Sequence, residues 1–337
     1  MKCKSKTLLL PLLLLSFFST YAIASPLNIT IGSSLSTTPL SDNDESYWLS
    51  PSGNYAFGFY PLPCKTNDPV AQCYVVGIWN ARSATKTLVW VANRDSLPFS
   101  GSSSILFTKY GTLVRISGDK EIALLSNIQE PASYAMINDN GNLVLYNSDS
   151  RIMWESFDYP TDTILPGQTL KSGFSLIAST SRSDHSSGRY ILRITNDGDI
   201  LIYHDYDFVY AINRYYKVRH VDMNLDSNGN LYLVDQNGLN IGSLTKGKMQ
   251  TDNQNSSNPV IFRATLDSDG IFRLYREEIG SGKEKSWRLS SNKKILFVFL
   301  RDLLFVVIFV GILSCIYHAV TLRKNQPTQG ELQLGTV

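Results

Sequence analysis

Six times along this chain a polar turn carrying glycine is followed by a short alternating apolar run: residues 53–60, 111–116, 141–146, 198–203, 229–234 and 270–275. Asn-Gly, Asp-Gly and Tyr-Gly dipeptides ahead of period-two apolar residues signal β-hairpins. Copies spaced roughly 30–60 residues apart are each one small sheet, unable to bury its apolar face alone. Six copies divide into three plus three, with Pro160, Pro166 and Gly167 in the gap as an inter-domain turn. The expectation is two consecutive all-β domains, over 25–150 and 151–290, each built from three sheets around one core. An ordinary β-sandwich gives similar alternation, so the pattern alone leaves both open. No helical period appears before residue 295.

The two ends carry addresses rather than fold. Lys2, Lys4 and Lys6 precede an apolar run over 8–18, and Ala22 and Ala24 set an Ala-x-Ala site before Ser25. That is the form of a cleaved signal peptide over 1–24, which sends the chain into an oxidising compartment. Residues 303–320 are apolar, and about 20 such residues cross a bilayer as a helix. A transmembrane helix over 295–320 is expected, with Arg301 and Asp302 at its outer edge and a short cytosolic tail over 321–337. The chain is then a single-pass type I protein of the plasma membrane, its ectodomain outside; a secreted protein with an apolar tail is the alternative.

Of four cysteines, Cys3 leaves with the signal peptide and Cys315 falls in the expected span, so Cys64 and Cys73 are expected to pair across a hairpin tip. Asn28 and Asn255 open Asn-x-Ser/Thr glycosylation sites. A net charge of +2 gives no electrostatic case for nucleic acid. Four scattered histidines lack metal-ligand spacing, and no Gly-x-Ser-x-Gly nucleophile elbow occurs. No metal, cofactor or enzymatic activity is expected. Arg94 and Asp95 read either as a charged site or, more plainly, as an ion pair ending a strand.

Three strings carry a resemblance: WLSPSGNYAFGFY at 48–60, VWVANRD at 89–95 and WESFDYPTDTILPG at 154–167. They resemble the bulb-type (G-type) lectin ectodomain of plant S-domain receptor-like kinases, over roughly residues 33–287. The resemblance implies tandem β-prisms with internal pseudo-threefold symmetry. It stops after Trp287, where family members continue into cysteine-rich EGF-like and PAN modules, a membrane span and a cytosolic kinase. No Gly-rich nucleotide loop, catalytic-loop Asp or Asp-Phe-Gly occurs in this chain, so no kinase activity is expected of it.

Mannose-binding lectins similar to this domain use the pattern Gln-x-Asp-x-Asn-x-Val-x-Tyr. On a strand, alternate residues share a face, so five side chains would meet one sugar. The nearest match is Asn138, Asn140, Asn142, Val144 and Tyr146, with Leu143 and Leu145 facing the core. Asn138 is one methylene shorter than Gln. Asn140 replaces a charge-assisted bond of about 1.5–3 kcal/mol with a neutral one of about 0.5–1.5 kcal/mol. High-affinity mannose binding is therefore not expected. Two functions follow: a membrane-anchored lectin-like module with a degenerate site for mannose-type glycans, or a kinase-less partner that modulates full-length S-domain receptor kinases. A truncated product without glycan binding is the third reading.

Overall fold

The computed structural model describes residues 28–38, 46–64, 72–213, 219–245, 259–289, 307–314 and 316–317. Through residue 289 the described chain is all-β apart from one short 3-10 turn at Ser156–Asp158. Its strands form six antiparallel sheets, five of four strands and one of five. Every copy of the sequence repeat supplies one strand to a different sheet: Tyr55–Pro63, Leu113–Ser117, Leu143–Tyr146, Ile200–His204, Leu231–Val234 and Phe272–Glu278.

Three sheets enclose each of two cores. Leu35, Phe57, Ile78, Ile105, Phe107, Leu113, Ile137, Leu143 and Leu145 meet in the first. Leu176, Leu192, Ile202, Met223, Leu231, Ala264, Phe272 and Leu274 meet in the second. The result is a tandem of β-prisms. Strands such as Ser104–Phe107 and Leu231–Val234 alternate buried and half-buried positions, as expected when one face lies in a core and the other outside.

Both prisms are threaded the same way. Three short strands come first, one for each sheet: Ile29–Thr30, Ser34–Ser36 and Tyr47–Leu49 in the first prism. The chain then completes the sheets in reverse order, finishing with the sheet that its first strand began. Thr163–Ile164, Thr169–Leu170 and Ser175–Ser179 repeat this plan in the second prism. Pro160, Pro166 and Gly167 therefore do not form a simple inter-domain turn. They belong to the leading segment that ties the second prism together. Ile152–Glu155 lies beyond the expected boundary at 150 yet pairs with Leu143–Tyr146, so its sheet is that of the first prism.

The sheet that holds Tyr55–Pro63 departs furthest from this alternation. In Tyr55–Pro63 the first five residues are all buried, and Leu88–Val91 is buried throughout. Its inner face enters the first core, while Ala56, Leu62, Val75, Trp79, Leu88 and Val91 cluster on the other face. That sheet meets the second prism: Asn80 Nδ2 donates to Glu277 Oε2 at 3.2 Å, and the Tyr60 and His185 rings lie 6.4 Å apart. Burial on both faces is why 55–60 and 75–79 read as continuous apolar runs.

The transmembrane helix expected over 295–320 is not borne out. Residues 307–314 and 316–317 are helical, and among the described residues no helix is long and apolar enough to cross a membrane. The rest of 295–320, the signal peptide over 1–24 and the tail over 321–337 lie outside the described residues apart from this piece.

Candidate functional site

The best match to the sugar-binding pattern is a hairpin rather than a single strand. Strands Tyr134–Ile137 and Leu143–Tyr146 pair in register, and 138–142 connect them. Asn138 N–H donates to Asn142 O at 2.8 Å, and Gly141 N–H donates to Asn138 O at 2.9 Å. Gly141 takes φ +86°, a left-handed conformation that glycine adopts without steric cost. Asn138, Asn140 and Asn142 thus occupy the turn and its flanks, and only Val144 and Tyr146 lie on the strand. The five do not share one strand face as expected.

Their environments differ sharply. Asn142 is 5% exposed and its amide is engaged through both nitrogen and oxygen. Nδ2 donates to Glu155 Oε2 at 2.6 Å, while Oδ1 accepts from Ser156 Oγ at 3.0 Å and from Phe157 N–H at 3.2 Å. Ser156 Oγ in turn accepts from Leu143 N–H at 3.0 Å. These bonds hold the hairpin against the strand Ile152–Glu155 and the turn that follows it. Val144 is buried at 1% exposure, although it points away from the core that takes Leu143 and Leu145. Asn138, Asn140 and Tyr146 remain half-buried. The Tyr146 ring stacks on Tyr134, centroids 5.0 Å apart and planes 18° from parallel. Asn138, Asn140 and Tyr146 keep part of their surface open to solvent, whereas Asn142 and Val144 are occupied by the fold itself.

Asp139, absent from the pattern, fixes the turn. Its Oδ1 accepts from Ser52 N–H at 2.7 Å, joining two hairpins of the first prism. Burial acts to raise this carboxyl's pKa, but the bonds from Ser52 and Ser50 outweigh it and hold the group below its usual range. Spacing gave no signal for Asp139, because its partner lies 87 residues away.

Arg94 and Asp95 do not pair with each other. Arg94 reaches across to the second prism, with Nη1 donating to Ile177 O at 2.8 Å and Nε to His185 O at 3.0 Å. Nη2 donates to Ser179 Oγ at 3.3 Å and to Ser186 O at 3.5 Å. Burial lowers the guanidinium's pKa against the opposing influence of Asp162 and Asp95. Asp95 accepts from Ser187 N–H at 2.8 Å and from Ser187 Oγ at 3.1 Å. This segment is a clamp between prisms. Cys64 and Cys73 are bonded, closing a tip nine residues apart in sequence. Asn28 is exposed, Asn255 lies outside the described residues, and no metal-holding cluster occurs among the described residues.

Residues 87–183 match the D-mannose binding lectin family. Over 280 residues the chain is 34% identical to the G-type lectin S-receptor-like serine/threonine-protein kinase LECRK2 of Oryza sativa subsp. japonica, covering 80% of this chain and 33% of that protein. Over 163 residues it is 39% identical to the kinase RKS1 of Arabidopsis thaliana, covering 44% of this chain and 19% of that one. Among solved structures, the snowdrop mannose-specific agglutinin complexed with methyl-α-D-mannoside aligns at 15% identity and TM-score 0.27, over 37% of this chain and 98% of the agglutinin. The chain spans 33% of the length of its rice relatives.

Proposed function

The chain is a homologue of plant G-type lectin S-receptor-like kinases and carries a bulb-type lectin domain, and from that premise we propose that it is an extracellular receptor module which recognises glycans weakly. The observation that carries this reading is the hairpin over 134–146. It leaves Asn138 and Asn140 half-buried at a rigid turn and Tyr146 half-buried on the strand that leaves it, polar groups and an aromatic ring of the kind a pyranose needs. The apolar sequence over 303–320 supports a membrane tether as part of the same reading, and the Cys64–Cys73 bond fits an oxidising compartment.

A glycan array probed with the full chain, purified in detergent, tests this reading. Binding to mannose-rich glycans that Tyr146→Ala abolishes is the expected result. A folded chain that binds no glycan on the array would sink it.

The engagement of Asn142 within the fold favours a second reading, in which the module pairs with full-length S-domain receptor kinases. Co-purification of the chain with such a kinase from plant membranes tests that. No association above an unrelated membrane protein would dismiss it.

A further inference from the structure

Between the two prisms lies an open cleft of about 390 Å³, lined among others by Asn140, Pro166, Gly167, Asn224, Asp226 and Tyr232. One wall is the turn of the first prism's hairpin, the other an outward sheet face of the second prism. Met223, Leu225, Leu231 and Leu233 point into the second core at 1% exposure or less. Asn224 and Tyr232 alternate with them and stand directly opposite each other on neighbouring strands. They therefore share the outer face as a cross-strand pair.

The polar groups of this cleft are oriented rather than loose. Asn142 N–H donates to Asn140 Oδ1 at 3.1 Å, so the Asn140 oxygen is held and its NH₂ is left to donate elsewhere. Thr169 Oγ1 donates to Asn224 Oδ1 at 2.5 Å, which fixes the second amide in the same sense. Asp226 Oδ1 accepts from the N–H groups of Asn228 and Asn230, and its Oδ2 accepts from Asn230 Nδ2 at 2.8 Å. A carboxylate oxygen has two lone-pair sites, so Oδ2 keeps one for a ligand donor. Gly167 keeps the passage open: a methyl there would stand 3.3 Å from Asn140 Nδ2 on a backbone at φ +86°. Pro166 and the Tyr232 ring add apolar surface beside these donors and acceptors.

Two directed amide donors, one anionic acceptor, a phenol and an apolar surface are the complement of a polyhydroxylated ring with C–H patches. The volume falls within the about 300–1,000 Å³ of small-ligand sites. Asp226 is the one charged lining residue among the described residues, so the site selects against anionic sugars. We propose that this inter-prism cleft binds a neutral oligosaccharide, with Asn140 and Asn224 donating, Asp226 accepting and the Tyr232 ring packing on a sugar face. The proposal rests on the glycan-binding reading and extends its site from the hairpin across to the second prism.

Calorimetric titration of the full chain in detergent with mannopentaose, cellopentaose and trigalacturonic acid tests it, alongside Tyr232→Ala, Tyr232→Phe and Tyr146→Ala. The expected result is binding of at least one neutral pentasaccharide and none of the anionic trimer. Tyr232→Ala should weaken that binding about tenfold or more. Should Tyr232→Ala fail to fold, Asn140→Ala in the solvent-facing turn and Tyr232→Phe replace it, each expected to weaken binding about threefold or more. Loss in Tyr146→Ala with full retention in the cleft variants would overturn the cleft while leaving the lectin reading intact. Binding of the anionic trimer in preference to both neutral sugars would also overturn it. No binding of any probe by the folded parent would remove both.

Discussion

Replacing Arg94 by alanine should loosen the second prism from the first. The guanidinium makes two short bonds to carbonyl oxygens, at 2.8 and 3.0 Å, and two longer ones at 3.3 and 3.5 Å. Hydrogen bonds to a charged group contribute roughly 1.5–3 kcal/mol each, but bonds that act together are not additive. Arg94 already bears a desolvation cost, seen in its lowered pKa, which subtracts from the gain. Counting the two short bonds and discounting for desolvation gives a loss of about 2–4 kcal/mol for Arg94→Ala. Guanidinium denaturation of the full chain in detergent, followed by tryptophan fluorescence, reads this directly. The transition should move to lower denaturant and split into two, because the clamp couples prisms with separate cores. Arg94→Lys should recover less than half of the loss, since a compact ammonium cannot fork between Ile177 O and His185 O. A change below about 0.5 kcal/mol, or full recovery by lysine, would refute the clamp.

Breaking the Cys64–Cys73 bond with a double serine variant should cost about 2.5–3 kcal/mol by loop-closure entropy, measured as a lowered denaturation midpoint. Gly111→Ala should prevent the first prism from forming, because the added carbon would sit 2.2 Å from Ala132 N; Gly53→Ala, with open space, should cost only about 1 kcal/mol, and circular dichroism of the two distinguishes them. His185 is held below the ordinary histidine value by burial, with Asp162 and Asp184 opposing and Arg94 assisting. The unfolded chain then takes up a proton at His185 before the folded chain does, so stability should fall as pH drops below about 6.5. A flatter midpoint-versus-pH curve for His185→Gln would agree, and an unchanged slope would not. Asp139 acts in the same direction at lower pH: its depressed pKa gives stability that is present above about 3.9 and lost as pH falls through the folded value, so Asp139→Asn should flatten the acid limb of the same curve.

Much of the fold was legible because the repeat writes one hairpin per sheet. Turn glycines 53, 111, 141, 198, 229 and 270 all take positive φ, and the second-prism runs Ile200–His204, Leu231–Val234 and Phe272–Glu278 open with the alternation of a one-sided sheet. What the sequence hid was long-range. The leading strands are only two to five residues long, too short to show a period, so Thr163–Ile164 and Thr169–Leu170 read as part of a turn. The clamp was equally hidden, because Arg94 finds its acceptors 83 to 92 residues away. The candidate site was half legible. Spacing picks out the hairpin over 134–146, but strand periodicity does not hold across its Asn-Gly turn. The spent amide of Asn142 depends on Glu155 and Ser156, which no local pattern reveals.

The account stands most directly on whether the folded chain binds a glycan at all. Titration of the full chain with a high-mannose glycan, followed by calorimetry, measures this in one experiment. The account predicts saturable binding that is weak, about tenfold below that of a lectin carrying the unbroken sugar pattern, as expected for a loss of about 1.4 kcal/mol. Heats indistinguishable from dilution, from protein whose melting transition proves it folded, would contradict it.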